Sequence, residues 1–304
     1  MFKPSGSWVA MITPYDSCGN VDFGGFKVLI DRQIKYGTNE LFVLGSAGET
    51  TLLSMDEKKE IVKQVIKMTK GKIPVFFNAT CPSTADTVKF AQFCEMEGAD
   101  GLIYAVPPYV MAPQKAIQDH MDTCMKAVSI PVGIYNNPTR TGVNLEPSTI
   151  EFLANANSNF IVDKEAVPSV AQLVEVKMRV GDKLNILCCD FPKYSIVIPT
   201  LAIGGNGTAN IGGNIFPEEV AIYSRPWDSL DKIETCRELY FKYYPLLKAL
   251  YWFSNPIVIK AASRILGLPT GGIRRPYPDL DGEKLIELEN IMTELGVIEK
   301  YSVK

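Results

Sequence analysis

Lys164 closes a short apolar run, Asn159-Phe160-Ile161-Val162-Asp163-Lys164-Glu165-Ala166. An amine at the polar end of a buried strand loses hydration, which disfavours its charged form and lowers its pKa. Such an amine can attack a carbonyl near neutral pH, the requirement for a Schiff base. A lysine closing a strand can equally snorkel to water and do no chemistry, so its partners decide the matter.

Three stretches offer partners. Gly45-Ser46-Ala47-Gly48-Glu49-Thr50 joins glycine-freed backbone to a hydroxyl, a combination suited to holding a carboxylate; it reads equally as an ordinary turn with a helix-capping hydroxyl. In Tyr135-Asn136-Asn137-Pro138-Thr139-Arg140-Thr141-Gly142 the phenol could move a proton and the guanidinium could clamp a carboxylate in a two-pronged bond. The plain alternative is a packed tyrosine and a surface arginine. Tyr109, in Val106-Pro107-Pro108-Tyr109-Val110, adds a second phenol, a residue type that commonly packs.

Other chemistries are excluded by count. The single histidine, His120, sits in an amphipathic stretch with no partner beside it, so neither a Ser-His-Asp triad nor a multi-histidine metal site is expected. Cys18, Cys81, Cys94, Cys124, Cys188, Cys189 and Cys236 are odd in number and lack C-x-x-C spacing, which reads as reduced thiols. Neither a dinucleotide nor a P-loop glycine motif follows a strand. No metal and no cofactor are expected.

The elements that must position these residues follow from apolar periodicity. Strand-like runs at 8–12, 40–44, 74–78, 101–105, 131–136, 159–163, 185–189 and 206–210 alternate with helical patterns at 22–36, 55–69, 84–97, 114–127, 147–154, 168–179 and 193–202. Eight strands in βα alternation predict an α/β fold, a (β/α)8 barrel with extra C-terminal helices, with a doubly wound open sheet as the alternative. Residues 1–216 would form the barrel core and 217–304 its last helix and a helical extension of the same unit, broken by Pro256, Pro269, Pro276 and Pro278. Barrel chemistry collects just beyond the C-terminal ends of the strands, where Ser46, Tyr109, Tyr135 and Lys164 all fall.

A chain of 304 residues with 46% hydrophobic and 21% charged residues and a net charge of −3 reads as one enzyme-sized globular unit with no basic footprint for nucleic acid. The Met1–Ser7 segment lacks the apolar core of a signal peptide, and no run is long enough to span a membrane. A cytoplasmic location is expected.

Taken in order, GSAGET, YNNPTRTG, Lys164-Glu165-Ala166, the segment from Gly204-Gly205-Asn206-Gly207 to Asn214, and Asn255-Pro256-Ile257-Val258-Ile259-Lys260 resemble the dihydrodipicolinate synthase and N-acetylneuraminate lyase family of class I aldolase-like barrels. The resemblance spans nearly the whole chain; its motifs are weak singly and specific in their order. It implies an imine between Lys164 and pyruvate or another 2-oxo acid, with Tyr135 as proton donor and acceptor. Ser46 would link Tyr135 to Tyr109, inserted from a neighbouring subunit. Backbone around Ser46, Ala47 and Ala209 would hold the carboxylate and keto group. The substrates implied are a 2-oxo acid and an aldehyde, and the assembly a homotetramer built as a dimer of dimers.

Arg140 matches the position at which the synthase branch binds the carboxylate of aspartate semialdehyde, and Phe191 stands where sialic acid lyases resemble one another in an Asp-Glu pair for sugar hydroxyls; both lean toward the synthase branch. The alternatives are a 2-keto-3-deoxy sugar acid aldolase or dehydratase, an N-acetylneuraminate lyase-like enzyme, and a non-catalytic 2-oxo acid-binding homologue. Two positions depart from the family pattern. Ala47 replaces a second hydroxyl, removing a hydrogen bond worth about 0.5–1.5 kcal/mol, and Val167-Pro168 replaces a small polar residue and glycine. Lys58, Pro82 and Pro108 stand where a lysine feedback site would carry histidine, asparagine and tyrosine, so little inhibition by free L-lysine is expected.

Overall fold

Runs of Val, Ile, Leu and Phe too short for helices become eight strands in the computed structural model, which describes residues 3–303. They are β1 (Gly6–Ala10), β2 (Glu40–Val43), β3 (Val75–Asn78), β4 (Gly101–Ala105), β5 (Val132–Asn136), β6 (Phe160–Glu165), β7 (Asn185–Cys188) and β8 (Gly207–Asn210). Every neighbouring pair is parallel, and β1 also pairs with β8, so the sheet closes into a barrel. Closure leaves no free sheet edge and removes the open-sheet alternative. The chain is a (β/α)8 barrel with helices between the strands and further helices at the C-terminal end. Of the expected segments, Met1, Phe2 and Lys304 lie outside the described residues.

Nearly continuous burial along each strand reflects helices covering the outside while side chains such as Phe42, Phe76 and Phe77 fill the core. The closing seam depends on backbone contact: Gly6 pairs with Gly207, where φ is +150° and a Cβ would stand 2.0 Å from the Gly6 carbonyl oxygen. Only glycine fits there. This register draws β1 two residues earlier than the expected 8–12.

The helices are α1 (Phe23–Lys35), α2 (Met55–Thr69), α3 (Thr84–Glu97), α4 (Gln114–Lys126), the one-turn α5 (Pro138–Thr141), α6 (Pro147–Ala156), α7 (Val170–Val180), α8 (Val197–Ala202) and α9 (Pro217–Tyr223). Beyond the barrel follow α10 (Leu230–Leu250), α11 (Ile257–Ile265), α12 (Gly282–Glu294) and α13 (Val297–Tyr301). Caps set several starts. Ser54 and Glu57 form a reciprocal capping box on α2, and Ser83 caps α3 through the Asp86 N–H.

Three expectations need correction. The helix expected at 193–202 is a 3₁₀ turn at Pro192–Tyr194 followed by α8, because Ser195 takes a left-handed φ of +55°. The one-turn α5 was not anticipated. Strand β6 runs on to Glu165 rather than stopping at 163, since Lys164 and Glu165 pair with Leu187 and Cys188 in the ladder. Lys164 therefore lies inside a strand instead of just after one. His120 is buried on α4, its ring 2.8 Å from the Thr84 hydroxyl, and all seven cysteines are free. Among the described residues, no helix is long and apolar enough to cross a membrane.

Candidate active site

Strands β5 and β6 bring the first pair together. Tyr135 is in register with Lys164, and side chains opposite one another on parallel strands share a face. The Lys164 Nζ lies 4.0 Å from the Tyr135 ring centroid and 4.5 Å from that of Phe42. Lys164 is 4% exposed, and burial pulls its pKa down to about 8, with Arg140 adding to the fall and Cys189 and Asp190 opposing it. Roughly a tenth of such an amine is neutral at pH 7, several hundred times the fraction of a free lysine.

Burial pushes the Tyr135 phenol well above its usual range, so it holds its proton at neutral pH. Its oxygen accepts a 2.6 Å hydrogen bond from Asn137 Nδ2, leaving the phenolic hydrogen available to the cavity. Asn137 Oδ1 in turn accepts from Thr139 Oγ1 at 2.6 Å, and Thr139 lies 2.7 Å from the Tyr194 OH. Thr139 and Tyr194 thus hold the Asn137 amide in place, and its N–H would stabilise a phenolate on Tyr135 if one formed. Asn137, Thr139 and Tyr194 were not singled out from the sequence, although the first two stand inside YNNPTRTG.

A cavity of about 360 Å³ opens above the amine, lined by Ser46, Tyr135, Arg140, Lys164 and Ala209 together with Cys189, Phe191 and Tyr251. Ser46 heads a 3₁₀ turn, Ser46–Gly48, whose leading N–H groups have no acceptor within the turn. Gly45 permits that turn, since a Cβ there would meet the Phe42 ring at 2.7 Å. Ala47 is fully buried and packs into the core, so only its backbone can serve the cavity. Arg140 rides on α5 and also lines a second cavity of about 400 Å³, which shares Ser46, Tyr135 and Asn137 with the first. Lys58, Pro82 and Pro108 line that second space.

Tyr109 does not join the others within one protomer. It is 96% exposed at φ +72° and lines neither cavity.

Two buried arrangements support the site from behind. Glu49, at the end of the Ser46 turn, forms a fully buried 2.8 Å ion pair with Lys260 of α11 and accepts 2.9 Å from the Arg274 N–H. On the other face of β6, Glu165 accepts from the Ala166 and Val167 N–H groups at 2.9 and 3.0 Å, so the departure at Val167-Pro168 forms the turn that holds this carboxylate. Burial raises Glu165 to about 7. Asp163 is fully buried with both carboxyl oxygens lacking a hydrogen-bond partner, and burial with the nearby Glu165 holds it far above the ordinary carboxylate range.

A family model described as the dihydrodipicolinate synthetase family matches residues 3–295. Among curated relatives, a protein of Methanocaldococcus jannaschii named 4-hydroxy-tetrahydrodipicolinate synthase is 32% identical over 98% of this chain and all of its own. A Geobacter metallireducens protein of the same name is 34% identical over 98% of this chain and all of its own. Among solved structures, dihydrodipicolinate synthase from Aquifex aeolicus superposes with a TM-score of 0.92 at 28% identity, covering 99% of this chain and all of that one.

Proposed function

This chain belongs to the dihydrodipicolinate synthetase family, and we propose that it condenses pyruvate with aspartate semialdehyde through an imine on Lys164. It is an enzyme of the lyase type, and its full-length relatives carry the name 4-hydroxy-tetrahydrodipicolinate synthase. The observation that carries the reading is the pairing of a 4% exposed amine with a phenol ring 4.0 Å away on the cavity floor.

The neutral fraction of Lys164 attacks the keto carbon of the 2-oxo acid, and water leaves as the imine forms. Once protonated, the imine draws electrons from the adjacent methyl carbon, which gives up a proton. Tyr135 moves protons in these steps, its oxygen steadied by Asn137. Backbone around Ser46, Ala47 and Ala209 holds the carboxylate, while Arg140 binds the carboxylate of the semialdehyde. The imine is itself the electron sink, so the reaction calls for no metal or cofactor.

The exposed apolar tip Tyr109-Val110-Met111, at 96%, 54% and 66%, supports a homotetramer built as a dimer of dimers in which a second copy brings Tyr109 to Ser46. Reduced-type cysteine usage supports a cytoplasmic location. The Lys58 ammonium in the second cavity repels a cationic amino acid, which supports weak inhibition by free L-lysine.

Incubation with pyruvate, reduction with borohydride and peptide mass analysis test the imine. A mass increment on the peptide containing Lys164, absent in Lys164→Ala, is the expected result; parent and variant behaving alike sinks it. Arg140→Ala should then lose semialdehyde turnover while keeping the pyruvate adduct.

A further inference from the structure

A thiol faces the same space as the amine. Lys164 pairs with Leu187 in the β6–β7 ladder, and the Cys189 N–H extends that ladder by donating to the Glu165 carbonyl at 2.9 Å. Side chains two residues apart on a strand share a face, so Cys189 stands on the Lys164 side of the barrel one pleat nearer the rim, a diagonal that a long side chain spans. Both residues line the cavity of about 360 Å³, and each influences the protonation of the other. Asn255 lines it too, and its Oδ1 is buried without a hydrogen-bond partner, which marks the cavity as built for a polar guest.

Cys189 belongs to a chain of three groups. Its sulfur lies 3.4 Å from the Tyr251 hydroxyl, and that hydroxyl donates to Asp190. With its one hydrogen committed to the carboxylate, the phenol oxygen accepts from the thiol. Asp190 is fully buried and fixed by the N–H groups of Ile211 and Gly212. A nucleophile in contact with a proton acceptor that a third group orients is the pattern of an activated side chain. Burial and Asp190 keep the thiol protonated at rest, with Lys164 opposing them. A protonated imine on Lys164 would fix a positive charge beside the sulfur and so favour the thiolate.

We propose that Cys189 is a second covalent site of this enzyme, one that captures 2-oxo acids bearing a double bond between C3 and C4. The inference rests on the Schiff-base reading, which supplies the activating imine. With such an acid joined to Lys164, the protonated imine draws electrons along the double bond and leaves C4 electron-poor. Sγ bonds to C4, the C3–C4 π pair moves toward the imine nitrogen, and the resulting enamine takes a proton at C3. The thiol proton passes to Tyr251 as Tyr251 passes its own to Asp190, so one S–H bond is lost and one C–H bond gained. The product is a thioether, formed with no oxidant or reductant, that stays tied to Lys164 until the imine is hydrolysed.

The test uses full-length enzyme with 2-oxopent-3-enoate, followed by borohydride reduction and peptide mass analysis, and, on the same preparation, pyruvate trapping at Lys164. A cross-link between the peptides holding Lys164 and Cys189 is expected, with the buried Cys189 modified ahead of the exposed Cys18. Tyr251→Phe keeps a ring to stack on Phe191 but removes the hydroxyl, and should slow modification of Cys189 about a hundredfold, the size of a modest proton-transfer contribution; pyruvate trapping at the parent level shows that the variant is folded. Lys164→Ala should leave Cys189 unmodified while Cys18 still reacts. The unsaturated acid trapped on Lys164 with Cys189 unmodified overturns the inference and leaves the Schiff-base reading standing. Modification of Cys189 at the parent rate in either variant also overturns it. Absence of any trapping on Lys164 overturns the Schiff-base reading, and this inference falls with it.

Discussion

Lys164 is held in its site at a cost to the fold. Its pKa falls from the ordinary lysine value to about 8 because burial removes water from the ammonium. Below pH 8 both the folded and the unfolded chain keep the proton, so the folded state bears the full desolvation penalty. Between pH 8 and about 10.5 the folded lysine releases its proton while the unfolded one retains it, and stability rises with pH. Lys164→Met should therefore be more stable than the parent at pH 7, by at most about 3 kcal/mol, with the gap narrowing toward pH 10 in urea unfolding; an equal or less stable variant would refute this. Asp163, on the opposite face of the same strand, carries a similar burden with no partner for either carboxyl oxygen. Its folded pKa is raised, so the penalty appears as pH climbs above the unfolded carboxylate value near 4. Asp163→Leu should raise stability at pH 7 by about 1–3 kcal/mol and flatten the pH dependence of Tm. The order of the motifs made Lys164 and Tyr135 legible as chemistry where residue type alone left both open, but the Asn137-Thr139-Tyr194 chain was not legible, because Tyr194 meets Thr139 from a distant part of the chain.

At the scale of elements, the Ser46 turn is fastened to a helix far away in sequence. Glu49 ends that turn in a left-handed conformation, φ +55°, and its carboxylate meets Lys260 of α11 with both side chains fully buried. Lys260 also donates 2.6 Å to the Gly272 carbonyl, and its ammonium sits 4.0 Å from the Tyr15 ring centroid. Removing one member of a buried pair leaves an uncompensated charge. Lys260→Met should cost about 3–5 kcal/mol, and Glu49→Leu combined with it should restore much of that loss in denaturant titrations. A double variant as unstable as the single one would show that the charge pairing is not the cause. The helical extension thus does structural work for the site, a link that local sequence did not reveal because the partners stand over two hundred residues apart. Local signals were enough for most helices, α2 and α3 beginning where Ser54 and Ser83 cap them; they failed at 193–202, where Ser195 breaks the helical dihedrals.

For the whole molecule, the exposed tip at Tyr109-Val110-Met111 is the feature that a single copy leaves unexplained, since contiguous exposed apolar residues mark contact surfaces. Light scattering should return a mass of four chains, and Tyr109→Ala should lower kcat with little change in pyruvate trapping at Lys164. A monomeric parent with full turnover would rule out the shared site. Alternating apolar runs and helical periods determined by themselves an eightfold βα alternation, because strand and helix periods are local consequences of side-chain geometry, while the pairing of β1 with β8 decided for a closed barrel over an open sheet. The ordered motifs raised the expectation that an amine, a phenol and a guanidinium would meet at one rim, since a barrel of this kind carries its chemistry at the C-terminal ends of its strands. The tertiary structure alone decided how far Lys164 is desolvated, that the Asn137 amide donates to Tyr135, and that Asp190 is buried with its oxygens held by Tyr251 and the Gly212 N–H. Those properties depend on distances between residues far apart in the chain, and no local pattern encodes a distance.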